Sequence, residues 1–300
     1  MNPFAINRLV LGTVQFGLSY GIAAGYKQVF HNDVADILDY ARTVGIECLD
    51  TASSYGNSEE VLGFCASTTH FKIFSKTWPI REDELSPAHL KHIQTAFENS
   101  LKRLKRERLD VLMVHDARDL LAKGGDQLWK WLEILKNSGR VARIGVSVYE
   151  CETAKILSDR YKIDVIQLPY SILDQRAHEA GFFEYCKYRS IAIHVRSIFL
   201  QGLLLSNIEN VPSNLKSLIP YLTKISNLAS KLEISIHELA LAFISRNLEI
   251  EHIVIGVHNT PQCKQLISSW SKIKSLRIDY VNWESLKCNK TALIDPRLWA

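Results

Sequence analysis

The sequence predicts a single α/β domain, a (β/α)8 TIM barrel that spans residues 1–300. The chain is 47% hydrophobic, which suffices for one large core. Short apolar or β-branched runs alternate with amphipathic segments along its length, and eight such runs are each followed by a helix candidate. No Pro-rich or Gly-rich linker divides the sequence, so we expect one domain rather than two.

The eight runs have the composition of buried strands. They are four to eight residues long and rich in Val, Ile and Leu, as expected for parallel strands covered on both faces. In chain order the predicted strands cover residues 9–14, 46–50, 71–76, 109–115, 141–148, 163–168, 191–197 and 253–256.

The segments between these runs carry apolar residues at helical spacing. Ser86 and Pro87 open the longest helix, whose apolar stripe extends to Leu104. A capping box of Ser235 and Glu238 opens a later helix. The predicted helices start near residues 33 (N-cap Asn32 or Asp33), 58, 87, 127, 151, 177, 235 and 260 (capped by Thr260 and Pro261). We expect residues 201–217 to form a long loop.

Charge and cysteine content exclude several classes of protein. A net charge of +4 is too dilute to indicate a nucleic-acid or membrane partner, and the six cysteines form no CxxC pair. The first residues do not have the pattern of a signal peptide, and no apolar stretch is long enough to span a membrane, so we expect neither export nor a membrane span. His89 and His92 have no third ligand nearby, so no metal site is predicted. We expect a cytoplasmic protein with reduced thiols.

Ionisable residues end three successive predicted strands. Asp50, Lys76 and His115 occupy these ends, and Tyr55 follows five residues after Asp50. Because barrel active sites lie at the carboxyl ends of the strands, the four groups should converge. A phenol protonates a carbonyl oxygen near neutral pH if a close ammonium favours its phenolate; Lys76 can supply that charge and Asp50 can pair with it. The alternative is a structural ion pair beside a hydroxyl.

A tyrosine acid without a nucleophile or metal ligands suits carbonyl reduction. The segments LGTVQFG, LDTASSYGNSEEVLG, FSKTW, LMVHD and IGVS, in this order, resemble the aldo/keto reductase family over nearly the whole barrel. The resemblance implies an oxidoreductase that interconverts a carbonyl, either an aldehyde or a ketone and including sugar-like compounds, with an alcohol. Tyr55 is then the general acid, Lys76 and Asp50 tune it, and His115 assists. Trp78 is either a substrate-pocket aromatic or a packing residue at the rim.

The resemblance also implies NADP as the cofactor, with NAD as the open alternative. The family binds its dinucleotide without a Rossmann fingerprint, and this chain has none. Ser147 and Gln167 would then bind the carboxamide, and Ser197 and Gly202 would border the pyrophosphate. The other cofactor-binding positions carried over from the family are Gly12, Thr13 and Asp50, Arg196 at the nicotinamide, and Gly256, His258, Gln262 and Gln265 at the adenosine end. His258 and Lys264 are the candidate cations for a 2′-phosphate.

Two positions depart from the family pattern. Ser147-Val148-Tyr149 stands where the family commonly has Ser-Asn-Phe, so an amide near the carboxamide is missing. Arg196 stands where many members stack a Tyr on the nicotinamide, and its guanidinium would either stack there or contact an acidic substrate. Asp50, Tyr55, Lys76 and His115 all match the family's catalytic positions. This match favours an enzyme over a non-catalytic, dinucleotide-binding redox-sensing or regulatory subunit. An isomerase or lyase on the same barrel is a third interpretation.

Overall fold

A computed structural model describes residues 2–22 and 27–299 as a closed barrel of eight parallel strands. Each strand pairs with the next in sequence, and β8 closes onto β1, where Gly256 lies opposite Gly12. The predicted (β/α)8 fold is therefore confirmed. The strands are β1 (Leu9–Gly12), β2 (Cys48–Asp50), β3 (Lys72–Lys76), β4 (Leu109–Val114), β5 (Val141–Ser147), β6 (Val165–Pro169), β7 (Ala192–Arg196) and β8 (Ile250–Gly256).

Helices surround the barrel and cover its outer face. They are α1 (Val14–Gly17), α2 (His31–Thr43), α3 (Ser58–Phe64), α4 (Pro87–Leu104), α5 (Arg118–Leu121), α6 (Gly125–Asn137), α7 (Cys151–Arg160), α8 (Arg176–Glu179), α9 (Phe182–Tyr188), α10 (Ile219–Lys231), α11 (Ile236–Ser245), α12 (Thr260–Lys272) and α13 (Thr291–Ile294). Within the described ranges, none of these helices is both long and apolar enough to cross a membrane.

Strand alternation places the polar strand ends inside the barrel. A small apolar cluster fills the interior and includes Cys48, Phe74 and Val165. Because side chains two residues apart share a face of a strand, Asp50 and Lys76 lie directly beyond this cluster, at the carboxyl ends. The buried charges at the barrel mouth therefore lie next to apolar side chains of the interior.

The helix caps are partly as predicted. The Ser86 and Ser235 side chains each accept a hydrogen bond from the third helical N–H, as expected for capping boxes. The prediction for α2 was wrong, because the helix begins at His31 and has no side-chain cap. That for α12 was also wrong: Asn259 is the cap, while Thr260 and Pro261 lie in the first turn.

Several predicted boundaries differ from the structure. β1 ends at Gly12, and the polypeptide turns at once into α1. β8 begins at Ile250, three residues earlier than predicted, with a register shift against β7. The helix predicted near residue 177 splits into α8 and α9 at Gly181, which has φ of +59°. The predicted long loop over 201–217 consists mostly of short 3-10 helices, and the helix α10 that follows it was not predicted.

Candidate active site

A buried ion pair forms the centre of the barrel mouth. Lys76 Nζ lies 2.6 Å from Asp50 Oδ1 and 3.0 Å from the Thr51 carbonyl oxygen, and both charged side chains are at most 5% exposed. Gln167 Nε2 donates to the other Asp50 oxygen at 2.7 Å. Burial lowers the pKa of Lys76, and the carboxylate of Asp50 opposes this effect. The carboxylate therefore has a partner on each oxygen, which fixes its orientation.

Tyr55 lies beside this pair, on the loop between β2 and α3. Its ring centroid is 5.2 Å from Lys76 Nζ and 5.7 Å from the ring of His115. The loop is held against α1, because a Cβ atom built on Gly17 would lie 1.9 Å from the Tyr55 carbonyl oxygen. Only glycine at position 17 permits this close approach, which fixes the Tyr55 backbone at the mouth.

The electrostatics of Tyr55 differ from the expectation of a phenol tuned mainly by Lys76. Burial raises the pKa of Tyr55, and the nearby carboxylate of Asp50 raises it further. The guanidinium of Arg196 lowers this pKa but does not reverse the shift. In the free protein the phenol therefore keeps its proton at neutral pH, as a proton donor requires.

His115 immediately follows β4 and is held as a neutral imidazole. Its Nδ1 lies 3.1 Å from Ser54 Oγ, on the same loop that carries Tyr55. Burial, together with the positive charges of Lys76 and Arg196, lowers the pKa of His115 to about 3. Because Nδ1 is occupied by Ser54, Nε2 is the ring nitrogen left for a substrate oxygen.

Gln167 and Ser147 line the mouth next to Asp50. They are partners in the register of β5 and β6, and both are buried. Gln167 Oε1 is buried and has no hydrogen-bond partner among the described residues. A buried amide oxygen without a partner is costly, so an N–H donor at this point would stabilise the site. A carboxamide ligand offers such a donor, which fits the predicted roles of these two residues.

The other predicted residues near the first strand have structural partners of their own. Thr13 is fully buried, and its hydroxyl donates to the Asp50 carbonyl oxygen at 3.1 Å and accepts from Ser58 Oγ. Gly12 and Gly256 face each other where β1 meets β8. A Cβ on Gly256 would approach Gln15 Nε2 to 2.3 Å, so this glycine leaves room for the Gln15 side chain.

The segment after β7 adopts unusual backbone conformations. Ser197, Leu200, Gln201 and Gly202 all have positive φ, between +49° and +89°. Non-glycine residues in this region carry strain, which concentrates at ligand-binding loops. The Gln201 carbonyl oxygen accepts from the Ile22 N–H, which connects this segment to the loop after α1.

At the start of α12, His258 is engaged with the protein itself. Its N–H donates to Gln262 Oε1 at 2.9 Å, and its Nε2 lies 3.1 Å from the Tyr20 carbonyl oxygen. Burial lowers the pKa of His258, so this side chain is not a cation at neutral pH. Gln265 and Lys264 lie on the exposed face of α12, and Lys264 Nζ is 5.4 Å from the Tyr40 ring centroid. Of the two predicted cations, Lys264 alone carries charge.

A sequence model described as the aldo/keto reductase family matches residues 8–282. The chain belongs to this family. The chain is 30% identical over 183 residues to glyoxal reductase of Bacillus subtilis, which covers 59% of this chain and 62% of that protein. It is 23% identical to L-galactose dehydrogenase of Arabidopsis thaliana over 90% of this chain and 88% of that one. The chain spans only about half to three fifths of the first curated relatives it matches.

Solved structures show the same fold. A holo-form aldo-keto reductase of Bacillus halodurans superposes with a TM-score of 0.75 and 20% identity. The match covers 97% of this chain and 95% of that one. At this identity the likeness supports the barrel alone. The resemblance to aldo/keto reductases inferred from the sequence motifs is confirmed by the family match.

Three side chains at the mouth of this aldo/keto reductase form a cluster that the sequence did not reveal. The guanidinium carbons of Arg196 and Arg297 lie 4.2 and 3.8 Å from the ring centroid of Tyr149. Arg297 comes from the C-terminal segment, far from Tyr149 in sequence. Tyr20 is near the same cluster, because the charge of Arg196 acts on its pKa. The departure at Ser147-Val148-Tyr149 was the one available signal.

Trp78 lies at the rim of the mouth. It is 39% exposed and packs edge-on against His92 of α4, with ring centroids 5.8 Å apart. Trp78 also lines a cavity of about 270 Å³ that includes Ser53 and Gly56 but none of the four predicted catalytic residues. The substrate and packing roles of Trp78 both stay predictions.

A second polar cluster occupies the barrel below the mouth. Glu251 Oε1 lies 3.4 Å from His194 Nε2 and 3.3 Å from His252 Nε2. These three side chains are the one group, among the described residues, close enough to share a metal ion. Arg143 already binds both Glu251 oxygens, at 2.8 and 3.1 Å, so the carboxylate is paired without a metal. The absence of a metal site stays a prediction.

Proposed function

We propose that this aldo/keto reductase reduces aldehydes or ketones to alcohols with NADPH, in the cytoplasm. The observation that carries the proposal is the convergence of Asp50, Tyr55, Lys76 and His115 at one barrel mouth. Lys76 Nζ contacts Asp50 at 2.6 Å and lies 5.2 Å from the Tyr55 ring centroid, which is 5.7 Å from the ring of His115. The arrangement contains a proton donor and a fixed charge pair but no nucleophile, which suits carbonyl reduction.

Each of the four side chains has a distinct role in this proposal. Tyr55 donates its proton to the carbonyl oxygen, and its raised pKa keeps that proton in place until the substrate is bound. Neutral His115 donates a hydrogen bond through Nε2 to the same oxygen. Lys76 provides positive charge beside the phenolate as it forms, and Asp50 holds Lys76 in position. Such acid catalysis contributes roughly 10² to 10⁴-fold to the rate.

The cofactor site follows from the residues around the mouth. The nicotinamide dinucleotide would supply the hydride that reduces the carbonyl carbon. The buried Gln167 Oε1 and the Ser147 hydroxyl would hold its carboxamide, with Gly12, Thr13 and Arg196 bordering the ring. The positive-φ segment at Ser197 and Gly202 would border the pyrophosphate.

Residues at the start of α12 are proposed for the adenosine end. They are Gly256, His258, Gln262 and Gln265. Lys264 is the proposed partner of a 2′-phosphate, which is the basis for preferring NADP to NAD. Because Lys264 is exposed on a helix, we expect this preference to be modest.

The proposal is tested by titrating the protein with NADPH and NADH through tryptophan fluorescence. Oxidation of the bound dinucleotide is then followed with a panel of aldehydes, ketones and sugars, in the wild type and in Tyr55→Phe. We expect tight NADPH binding in both proteins and turnover in the wild type alone. Binding without turnover on any carbonyl would favour a redox-sensing or regulatory subunit, and failure to bind either dinucleotide would refute the proposal.

A further inference from the structure

Arg196 is an arginine at the barrel mouth that has no carboxylate partner in the part of the chain that the structure describes. Among the described residues, Arg81 and Arg118 pair with Asp116, and Arg297 pairs with Asp295 and Glu150. Arg196 forms no ion pair with any residue of 2–22 or 27–299, although it is only half-exposed. Its Nη2 donates a hydrogen bond to the Val148 carbonyl oxygen at 3.2 Å.

The guanidinium of Arg196 is held in position on the inner side of the mouth. Arg196 is the last residue of β7 and shares a strand face with His194, which points into the barrel. Its guanidinium lies over the Tyr149 ring, which Arg297 also contacts. Stacking on an aromatic ring and one backbone hydrogen bond leave further N–H donors free, since a guanidinium has five.

The charge of Arg196 reaches the reacting groups. It lowers the pKa values of Tyr55, Lys76 and His115. Arg196 and Lys76 also both end barrel strands at the same carboxyl mouth, so a group bound to the free N–H donors of Arg196 would lie at the mouth where Tyr55 protonates a carbonyl. A half-buried cation without a counter-ion is costly, and an anionic ligand removes that cost.

We propose that Arg196 binds a carboxylate of the carbonyl substrate, so that the natural substrate is an aldehyde or ketone acid. This inference rests on the proposed reductase function and narrows its substrate class. A planar carboxylate matches the two parallel N–H donors of a guanidinium. The anionic groups of a dinucleotide are the competing ligand for Arg196, and the experiment separates the two.

The test compares acid and ester forms of the same aldehyde. The pairs are 4-formylbenzoate with its methyl ester, and 5-oxopentanoate with its methyl ester. Both members of a pair use the same Tyr55, Lys76 and His115, so any effect of a variant on those groups cancels in the ratio of kcat/KM values. The variants are Arg196→Met and Arg196→Lys, with Arg118→Met as the matched control because Arg118 lies at the same mouth but is paired and 62% exposed.

We expect the wild type to prefer the acids. Arg196→Met should lower the acid-to-ester ratio by roughly 10 to 100-fold, the usual worth of a hydrogen-bonded charge pair. Arg196→Lys should have a smaller effect. Arg118→Met should change the ratio less than about 2-fold and leave the Kd of NADPH nearly unchanged. An unchanged ratio in Arg196→Met would overturn the inference, as would a large loss of NADPH affinity with the ratio preserved.

Equilibrium binding of benzoate separates this inference from the proposed function. Calorimetry measures the Kd of benzoate for the wild type and Arg196→Met, with benzamide as the neutral control, and needs no turnover. If no aldehyde is reduced but benzoate binding depends on Arg196, the reductase proposal fails and the carboxylate site stands. If aldehydes are reduced but benzoate binding is independent of Arg196, the reductase stands and the carboxylate site is refuted.

Discussion

Replacing Lys76 with Met removes the cation that neutralises Asp50 inside the barrel. Lys76 is 2% exposed, and its ammonium contacts Asp50 at 2.6 Å. Methionine fills a similar volume without charge, so the change tests the charge rather than the packing. After it, Asp50 keeps one hydrogen-bond donor, Gln167 Nε2 at 2.7 Å.

Leaving one member of a buried pair without its partner costs about 3–5 kcal/mol. The remaining bond from Gln167 places the Lys76→Met loss toward the lower end, at about 3 kcal/mol. In the double variant Asp50→Asn/Lys76→Met no charge stays buried. We therefore expect the double variant to be more stable than Lys76→Met by about 1–2 kcal/mol.

A second lysine on strand β3 provides the control for Lys76. Lys72 pairs with Glu47 at 3.3 Å, but these side chains are 58% and 51% exposed. Exposed pairs contribute little, so Lys72→Met should cost less than about 1 kcal/mol. The assay is urea unfolding at pH 7, followed by tryptophan fluorescence and by far-UV circular dichroism to confirm a single transition. A loss below about 1 kcal/mol for Lys76→Met, or a double variant less stable than the single one, would refute the reasoning.

Three further predictions follow from the same structure. Burial lowers the pKa of His252 to about 3, below its value in the unfolded chain. The contribution of neutral His252 to the free energy of unfolding should therefore be fully present above about pH 6.5 and fall by about 1.4 kcal/mol per pH unit below it. Urea midpoints from pH 7 to pH 4 should fall less steeply in His252→Gln than in the wild type, and equal slopes would refute this. Because the pKa of Tyr55 is raised, the protonated acid persists, and kcat/KM for an aldehyde should stay level from about pH 6 to pH 9; a decline near pH 7 would instead indicate a phenol tuned by Lys76. Gly17→Ala should abolish turnover by displacing the Tyr55 loop. Gly139→Ala is the control: its Cβ has no atom within 4 Å, and the φ of +75° adds only local strain far from the mouth, so turnover should be retained. Turnover is measured by NADPH oxidation, and circular dichroism checks both folds.

Local patterns predicted the architecture well. The strands are apolar runs and α4 carries its own cap at Ser86, so short-range information identified these elements. The errors arose where tertiary contacts decide. His31 begins α2 without any side-chain cap, and β8 extends back to Ile250 because β7 lies beside it to provide hydrogen-bond partners.

The candidate site likewise contains residues that local sequence patterns predict and contacts that they do not. Asp50, Lys76 and His115 were predictable because the strand period and the barrel rule assign their positions from sequence alone. The contact between Tyr149 and Arg297 joins segments 148 residues apart, and no local pattern indicates it. The raised pKa of Tyr55 depends on burial, which the sequence does not report.

Deuterium transfer tests most directly the central claim that the protein transfers a hydride from NADPH to a carbonyl carbon. The protein is given benzaldehyde and NADPH carrying two deuterium atoms at C4 of the nicotinamide, in ordinary water. The account predicts benzyl alcohol with one deuterium on the carbinol carbon, and an exchangeable hydroxyl proton delivered through Tyr55. Benzyl alcohol without deuterium on that carbon, or no benzyl alcohol from a protein that binds NADPH, would contradict it.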